Sequence, residues 1–456
     1  MLDLSINNKI VRNILERLTE LAERNNHIPP ELYTTYDVKR GLRNSNGTGV
    51  LVGLTNIGDV QGYITENGKK VPIEGNLFYR GIEIRDLISG FQKDNRFGFE
   101  ETCYLLLFGE LPNEQELAEF TEILGENRFL PSGFTEGVIL KAASNNIMNM
   151  LARSLLAYYS YDKKADDISK ENVLRQSIDM IASVPTIVAY AYQALSRYYK
   201  NNSLIIHNPQ PELSTAENFL HMIRPNSEYT ELEAQLLDLA LVLHAEHGGG
   251  NNSTFAVRVV TSTDTDTYSA LAAAVGSLKG GKHGGANLRV LEMMQHLMEH
   301  VKDWKDEEEV QKYLEDILQK KTFDRSGLIY GVGHAVYTIS DPRAVLLKEK
   351  AAELAKEKGL EEIFNLYTTV EKVTPLALKA VGKGETRSLV NVDFYSGFVY
   401  NALNIPPELY TPLFAIARMP GWCAHRLEEL VSGGKIIRPA YKNVIGEKKY
   451  IKLADR

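Results

Sequence analysis

The stretch YSALAAAVGSLKGGKHGGANLRVLEMMQHLMEH, Tyr268 to His300, decides between two fold classes. Gly276, Gly281 and Lys282 fit the first seven places of the phosphate-loop pattern G-x-x-x-x-G-K-[ST], whose backbone amides cradle nucleotide phosphates at the end of a buried strand. The eighth place is His283, so the hydroxyl that would hold a magnesium ion is missing. What precedes the loop is Ala-rich and reads as a helix rather than a strand. After His283, GGANLRVLEMMQHLMEH resumes helical spacing, so the glycines mark a helix stop and a fresh helix start. His283 then sits near a helix N-terminus, where the macrodipole disfavours an imidazolium and a neutral ring can donate to a developing oxyanion. On this stretch alone, a histidine in a tight glycine turn explains the residues as well.

The helical reading extends outward. Val310, Tyr313, Leu314, Ile317 and Leu318 recur at helical spacing, as do Leu232, Leu236, Leu239 and Leu243. Breaks fall at residues 161–167, 201–214, 262–266 and 404–412. The β-like exception is Val50 to Gly81, where alternating apolar residues are interrupted by Gly58, Gly62 and the Asn67-Gly68 pair, predicting one or two small hairpins. The class is mainly α. No internal repeat, low-complexity tract or flexible linker stands out, so two domains would share a broad helical interface.

Composition sets the outer limits. The 456 residues are 44% apolar and 24% charged, an ordinary enzyme composition with length for two or three domains. A net charge of −8 argues against generic affinity for nucleic acid or anionic membranes, so an anionic substrate must meet local positive charge. Cys103 and Cys423, far apart, predict neither a disulfide framework nor a Cys zinc site, which fits a reducing cytoplasm. The N-terminal stretch has mixed charge and helical spacing at Ile10, Ile14, Leu18 and Leu21, unlike a signal peptide, and no run approaches 18 apolar residues.

Four further stretches carry chemistry. LHAEHGGGNNST places His244 and His247 three apart at a helix end; a core role suits His244, and His247 beside three glycines is better placed to face a ligand. A zinc pair is conceivable there, without H-E-x-x-H order or a third ligand. In YGVGHAVYTISDPRAVLL, Gly331 and Gly333 let backbone approach a ligand beside His334. Asp341 and Pro342 form a helix start that puts Arg343 in the first turn, either to grip a carboxylate or as a solvated side chain. NVDFYSGFVYNAL sets Asp393 before a helix, where burial would raise its pKa and an N-cap role would lower it. Arg418 ends an apolar helix that Pro420 and Gly421 stop, and Arg438 precedes Pro439; each either meets an anion or is structural.

In this order, H-G-G-A-N, G-x-G-H-A-V, D-P-R and N-V-D-F-Y-S-G resemble the citrate synthase family, from about IEGNLFYRGIEIRDL to IIRPAY. The resemblance implies a mainly α, two-domain helical fold with a small N-terminal β-hairpin region. Residues 1–284 and 401–456 would form a large dimer-forming domain and residues 285–400 a small one. It implies condensation of acetyl-CoA, a co-substrate rather than a bound cofactor, with oxaloacetate, then hydrolysis of citryl-CoA. A 2-methylcitrate synthase using propionyl-CoA, a non-catalytic dimeric scaffold and a His-ligated metal hydrolase are the alternatives. Residue by residue it implies Asp393 as base, His283 as donor to the enol oxygen and His334 on the oxaloacetate ketone. His247, Arg343, Arg418 and, across the homodimer, Arg438 would hold substrate carboxylates, and Gly331, Val332 and Gly333 would meet the CoA adenine. No metal, nucleic acid or membrane partner is expected. This chain departs from the family pattern in three places: no basic residue in YTIS, which Lys383 or Arg387 could replace; Val390 where proline is usual; and a glycine-rich HGGGNN turn. The N-terminal fifty residues and the 195–225 insertion exceed the compact bacterial form.

Overall fold

The computed structural model describes residues 9–45, 47–66, 69–384 and 389–456. Two compact units emerge, Met1–Leu54 and Thr55–Arg456. The first contains the expected helix, Lys9–Asn26, followed by Pro30–Thr35. Ile14, Leu18 and Leu21 are all exposed.

The second unit is helical apart from one small antiparallel sheet, with strands β1 (Gly58–Glu66), β2 (Lys69–Tyr79) and β3 (Ile82–Glu83) in that order. The β-like region thus yields a single sheet beginning at Gly58; the Asn67-Gly68 pair lies outside the described residues. Between Gln61 and Tyr63 the β1–β2 register shifts, and Gly62 and Gly75 lie in that irregularity. Neither has room for a side chain. A Cβ on Gly62 would come 2.4 Å from the Val336 carbonyl oxygen, and one on Gly75 would come 2.2 Å from that of Ser340. The sheet therefore lies flush against segment 336–342, tied by Thr338 Oγ1 donating to Gly62 O (3.1 Å).

Two long helices form the centre. Tyr410–Val431 packs against Lys170–Tyr199, Phe99–Phe108, Glu231–His244, Asn252–Thr261 and Thr267–Leu278. It does not stop at Pro420 and Gly421 as their local chemistry predicts. A proline inside a helix costs about 3 kcal/mol, but Met419, Trp422, Cys423 and Ala424 around it are all buried, and tertiary packing outweighs the break. Lys170–Tyr199 contains a stretch long and apolar enough to cross a membrane; 83% of that stretch is buried by neighbouring helices, as an all-round apolar core helix should be.

Helices Ala286–His300, Glu307–Leu318, Pro342–Lys358, Glu361–Ala380 and Val392–Ala402 pack mainly on one another. Their link to the centre includes Lys358 Nζ, 2.7 Å from Glu233 at the start of Glu231–His244.

Candidate active site

The glycine stretch separates Thr267–Leu278 from Ala286–His300, as its spacing predicts. Gly284 abuts the Leu278 carbonyl oxygen, which a Cβ would approach to 2.3 Å, and its own carbonyl accepts from Thr411 (2.9 Å). His283 is thereby aimed at a different helix start from the one its position suggests. Its Nε2 accepts the backbone N–H of Ser253 (3.3 Å), in the first turn of Asn252–Thr261, and lies 3.0 Å from Ser253 Oγ. Trp422 Nε1 in turn donates to that hydroxyl (3.2 Å). An Nε2 that accepts an amide leaves the proton on Nδ1, free to donate. Burial, reinforced by the Arg418 charge, holds the ring pKa down to about 4, so it is neutral at physiological pH.

His334 is held the other way round. Its Nδ1 accepts the backbone N–H groups of Val336 (3.1 Å) and Tyr337 (3.0 Å), which leaves the proton on Nε2. Burial and Arg343 bring its pKa down to about 4 as well. Tyr337 stacks on it with ring centroids 4.5 Å apart, and His247 meets its edge at 5.1 Å. Burial, Arg343 and His334 hold His247 well below its ordinary pKa, and its buried Nε2 has no partner among the described residues. His244 is the core histidine expected, fully buried with Nδ1 donating to Ala240 O (2.7 Å).

Asp393 stands in the first turn of Val392–Ala402, but the cap is Asn391, whose side chain accepts the Asp393 N–H (3.0 Å). Relieved of capping, the Asp393 carboxylate accepts no hydrogen bond among the described residues. Burial pushes its pKa up to about 6, against the opposing charge of Arg343. Backbone pairing brings this helix to the His334 loop: Val332 and Val390 form an antiparallel bridge, Gly333 N donates to Leu389 O (2.8 Å), and Asn391 N donates to Gly331 O (2.8 Å). The ladder makes no use of the residue 390 amide, so a proline there would lose none of these hydrogen bonds.

Two buried arginines complete the cluster. Asp341 caps its helix as predicted by accepting the Arg343 N–H (3.0 Å), and it also takes the Arg343 guanidinium through Nε (3.0 Å) and Nη2 (2.7 Å). Arg343 is therefore neither solvated nor a bare carboxylate grip. Arg418, fully buried, donates Nε to the His244 carbonyl (2.6 Å), while Nη1 and Nη2 have no partner among the described residues. Buried guanidinium nitrogens without an acceptor are costly, and a ligand carboxylate is their natural complement. Arg418 adds its charge to the surroundings of His283, His247 and Asp393.

Beside this cluster runs a groove of about 440 Å³ lined by Leu328, Val332, Gly333, His334, Leu378 and Lys383. Gly331 must be glycine, since φ is +74° and a Cβ would come 2.8 Å from Val290. Lys383 Nζ donates to Gly327 O (3.0 Å); Arg387 lies outside the described residues. Arg438 is exposed beyond the Tyr410–Val431 helix and makes no hydrogen bond or ion pair among the described residues. Also among the described residues, no three His, Cys, Asp or Glu side chains gather as a metal ion requires.

Sequence reasoning missed Ser253, which follows the glycine run beside His247 and could have been noticed as a polar first-turn residue.

A family profile described as "Citrate synthase, C-terminal domain" matches residues 46–440. The citrate synthase of Synechocystis is 36% identical over 367 residues, covering 80% of this chain and 84% of that protein. The 2-methylcitrate synthase of Shewanella oneidensis is 30% identical over 387 residues, covering 83% and 92%. Among solved structures, the ternary complex of the Thermoplasma acidophilum citrate synthase with carboxymethyl coenzyme A and oxaloacetate superposes with a TM-score of 0.75, at 28% identity, covering 92% of this chain and 99% of that one.

Proposed function

Because the chain belongs to the citrate synthase family, we propose that it condenses acetyl-CoA with oxaloacetate and water to give citrate and CoA. The observation that carries the reading is the protonation pattern: one carboxylate raised to about 6 and two neutral imidazoles whose free N–H groups are on opposite nitrogens.

A thioester α-proton is weakly acidic, so a carboxylate removes it only while a donor stabilises the enol oxygen, each contributing about a hundredfold or more. Asp393 takes the methyl proton and the Nδ1–H of His283 meets the thioester oxygen. The new carbanion equivalent attacks the oxaloacetate ketone, which the Nε2–H of His334 polarises and protonates. The two amides donating to His334 Nδ1 spread the charge left on that ring. Arg418, His247 and Arg343, through the Nη1 edge that Asp341 does not take, hold the oxaloacetate carboxylates, joined by Arg438 from a second copy in a homodimer. The Gly331–Gly333 groove receives the CoA adenine, with Lys383 replacing the basic residue absent from YTIS. Water then cleaves citryl-CoA.

The division into residues 1–284 with 401–456 and residues 285–400 is supported by the mutual packing of the helices between 286 and 402, and closure of the small domain would exclude water. The reaction needs no resident cofactor and suits a cytoplasmic enzyme of the tricarboxylic acid cycle. One methylene is worth only about 1–3 kcal/mol in an apolar pocket, so propionyl-CoA is the second substrate to test. Oxaloacetate-dependent thiol release is measured with both acyl-CoAs on wild type and Asp393→Asn. Faster turnover of acetyl-CoA, abolished by Asp393→Asn, is expected. Faster turnover of propionyl-CoA makes the enzyme a 2-methylcitrate synthase, and release from neither leaves a helical scaffold.

A further inference from the structure

Arg343 and Arg418 are both buried beside a carboxylate, yet Asp341 occupies Arg343 and no described residue occupies Arg418 Nη1 and Nη2. The carboxylate beside Arg418 is Glu246, fully buried and next in sequence to His247. Glu246 and Arg418 flank Gly421: a Cβ there would lie 2.7 Å from Glu246 Oε2 and 3.4 Å from Arg418 Cδ. The Ala245 carbonyl oxygen crowds the same point at 2.4 Å, and the opposite charges of Glu246 and Arg418 attract across it.

Glu246 is held from its other side. Oε1 accepts the Gly248 N–H in a short contact, and Oε2 lies within ion-pairing distance of His425 Nε2, at 3.0 Å. His425, also fully buried, has a fixed tautomer because its Nδ1 accepts from Arg258 Nε (3.1 Å) and Nη2 (2.7 Å), which leaves the proton on the nitrogen facing Glu246. Arg258 is anchored by Glu428 and by Glu429 (2.9 Å).

We propose that His425 is a positioning residue for the oxaloacetate site: oriented by Arg258, it tethers Glu246 beside Arg418 and keeps that carboxylate off the guanidinium nitrogens a substrate carboxylate must occupy. The proposal rests on the reading that Arg418 holds oxaloacetate. Glu246 thus balances a buried charge without competing for its donors, whereas Asp341 neutralises Arg343 by occupying it.

The test measures steady-state KM for both substrates and oxaloacetate binding by calorimetry. His425→Asn keeps an acceptor for Arg258 but no longer reaches Glu246. It is expected to raise the oxaloacetate KM about tenfold while that of acetyl-CoA stays within about twofold, since an internal carboxylate now competes for Arg418. Adding Glu246→Gln to the same chain restores oxaloacetate binding, which a merely structural role would not do. Glu246→Gln alone, expected to bind oxaloacetate at least as well as wild type, carries the test if His425→Asn does not fold. An oxaloacetate KM unchanged in His425→Asn, a double variant no better than the single, or a Glu246→Gln that binds about tenfold more weakly overturns the proposal. A wild type that binds no oxaloacetate overturns the site reading, and this proposal with it.

Discussion

The His283 turn and the His334 loop reach the same charge state by different routes. Both rings are pushed to about 4 by burial next to an arginine. At His283 the tautomer depends on a serine from another helix, 30 positions away in sequence. At His334 it depends on amides two and three residues downstream. One arrangement is tertiary and loses its hydroxyl contact, though not its amide, on a side-chain substitution; the other is built into a loop and uses no side chain but its own ring.

The largest expected effect separates the two rings by the step each serves. His283→Ala and His334→Ala should each lower kcat by about 10²- to 10³-fold. Only His283→Ala should also abolish exchange of the acetyl-CoA methyl protons with deuterated water in the presence of a non-reacting oxaloacetate analogue. Equal loss of exchange in both variants would remove the division of labour. Next, the acid limb of kcat/KM should fall about tenfold per pH unit below about 6, following Asp393, with no separate histidine limb above about 4. A limb near the ordinary histidine value would mean that a ring is protonated in the free enzyme. A smaller effect distinguishes the tertiary arrangement: Ser253→Ala should lower kcat about tenfold, because the backbone amide alone then holds Nε2.

The smallest effect is on stability. Between pH 6.5 and about 4 the unfolded chain protonates His283 and His334 while the folded chain does not, so these rings remove stability as pH falls. Asp393 acts oppositely, since its folded carboxyl takes a proton near 6 and the unfolded one near 3.8. Melting temperature should therefore drop on acidification, and more steeply in Asp393→Asn, as differential scanning calorimetry would register.

Features governed by nearest neighbours were legible in the sequence. The glycine break around His283, the Asp341-Pro342 helix start and the core role of His244 all follow from local chemistry. What failed was set by tertiary approach. Pro420 and Gly421 read as a stop because a proline's missing amide is a local fact, whereas the packing that carries the helix through them is not. The helix amide meeting His283 belongs to Asn252–Thr261 rather than to the helix that follows it. Whether Asp393 caps its helix turns on its neighbour Asn391, which takes the cap position.

The Val332–Val390 bridge bears on how such a site can diverge. Its two hydrogen bonds join main chain to main chain, so they are indifferent to which side chains stand on either rung. Apart from Gly331, substitutions can accumulate along both segments during descent, altering the walls of the groove beside His334 while the spacing between Asp393 and His334 is inherited intact.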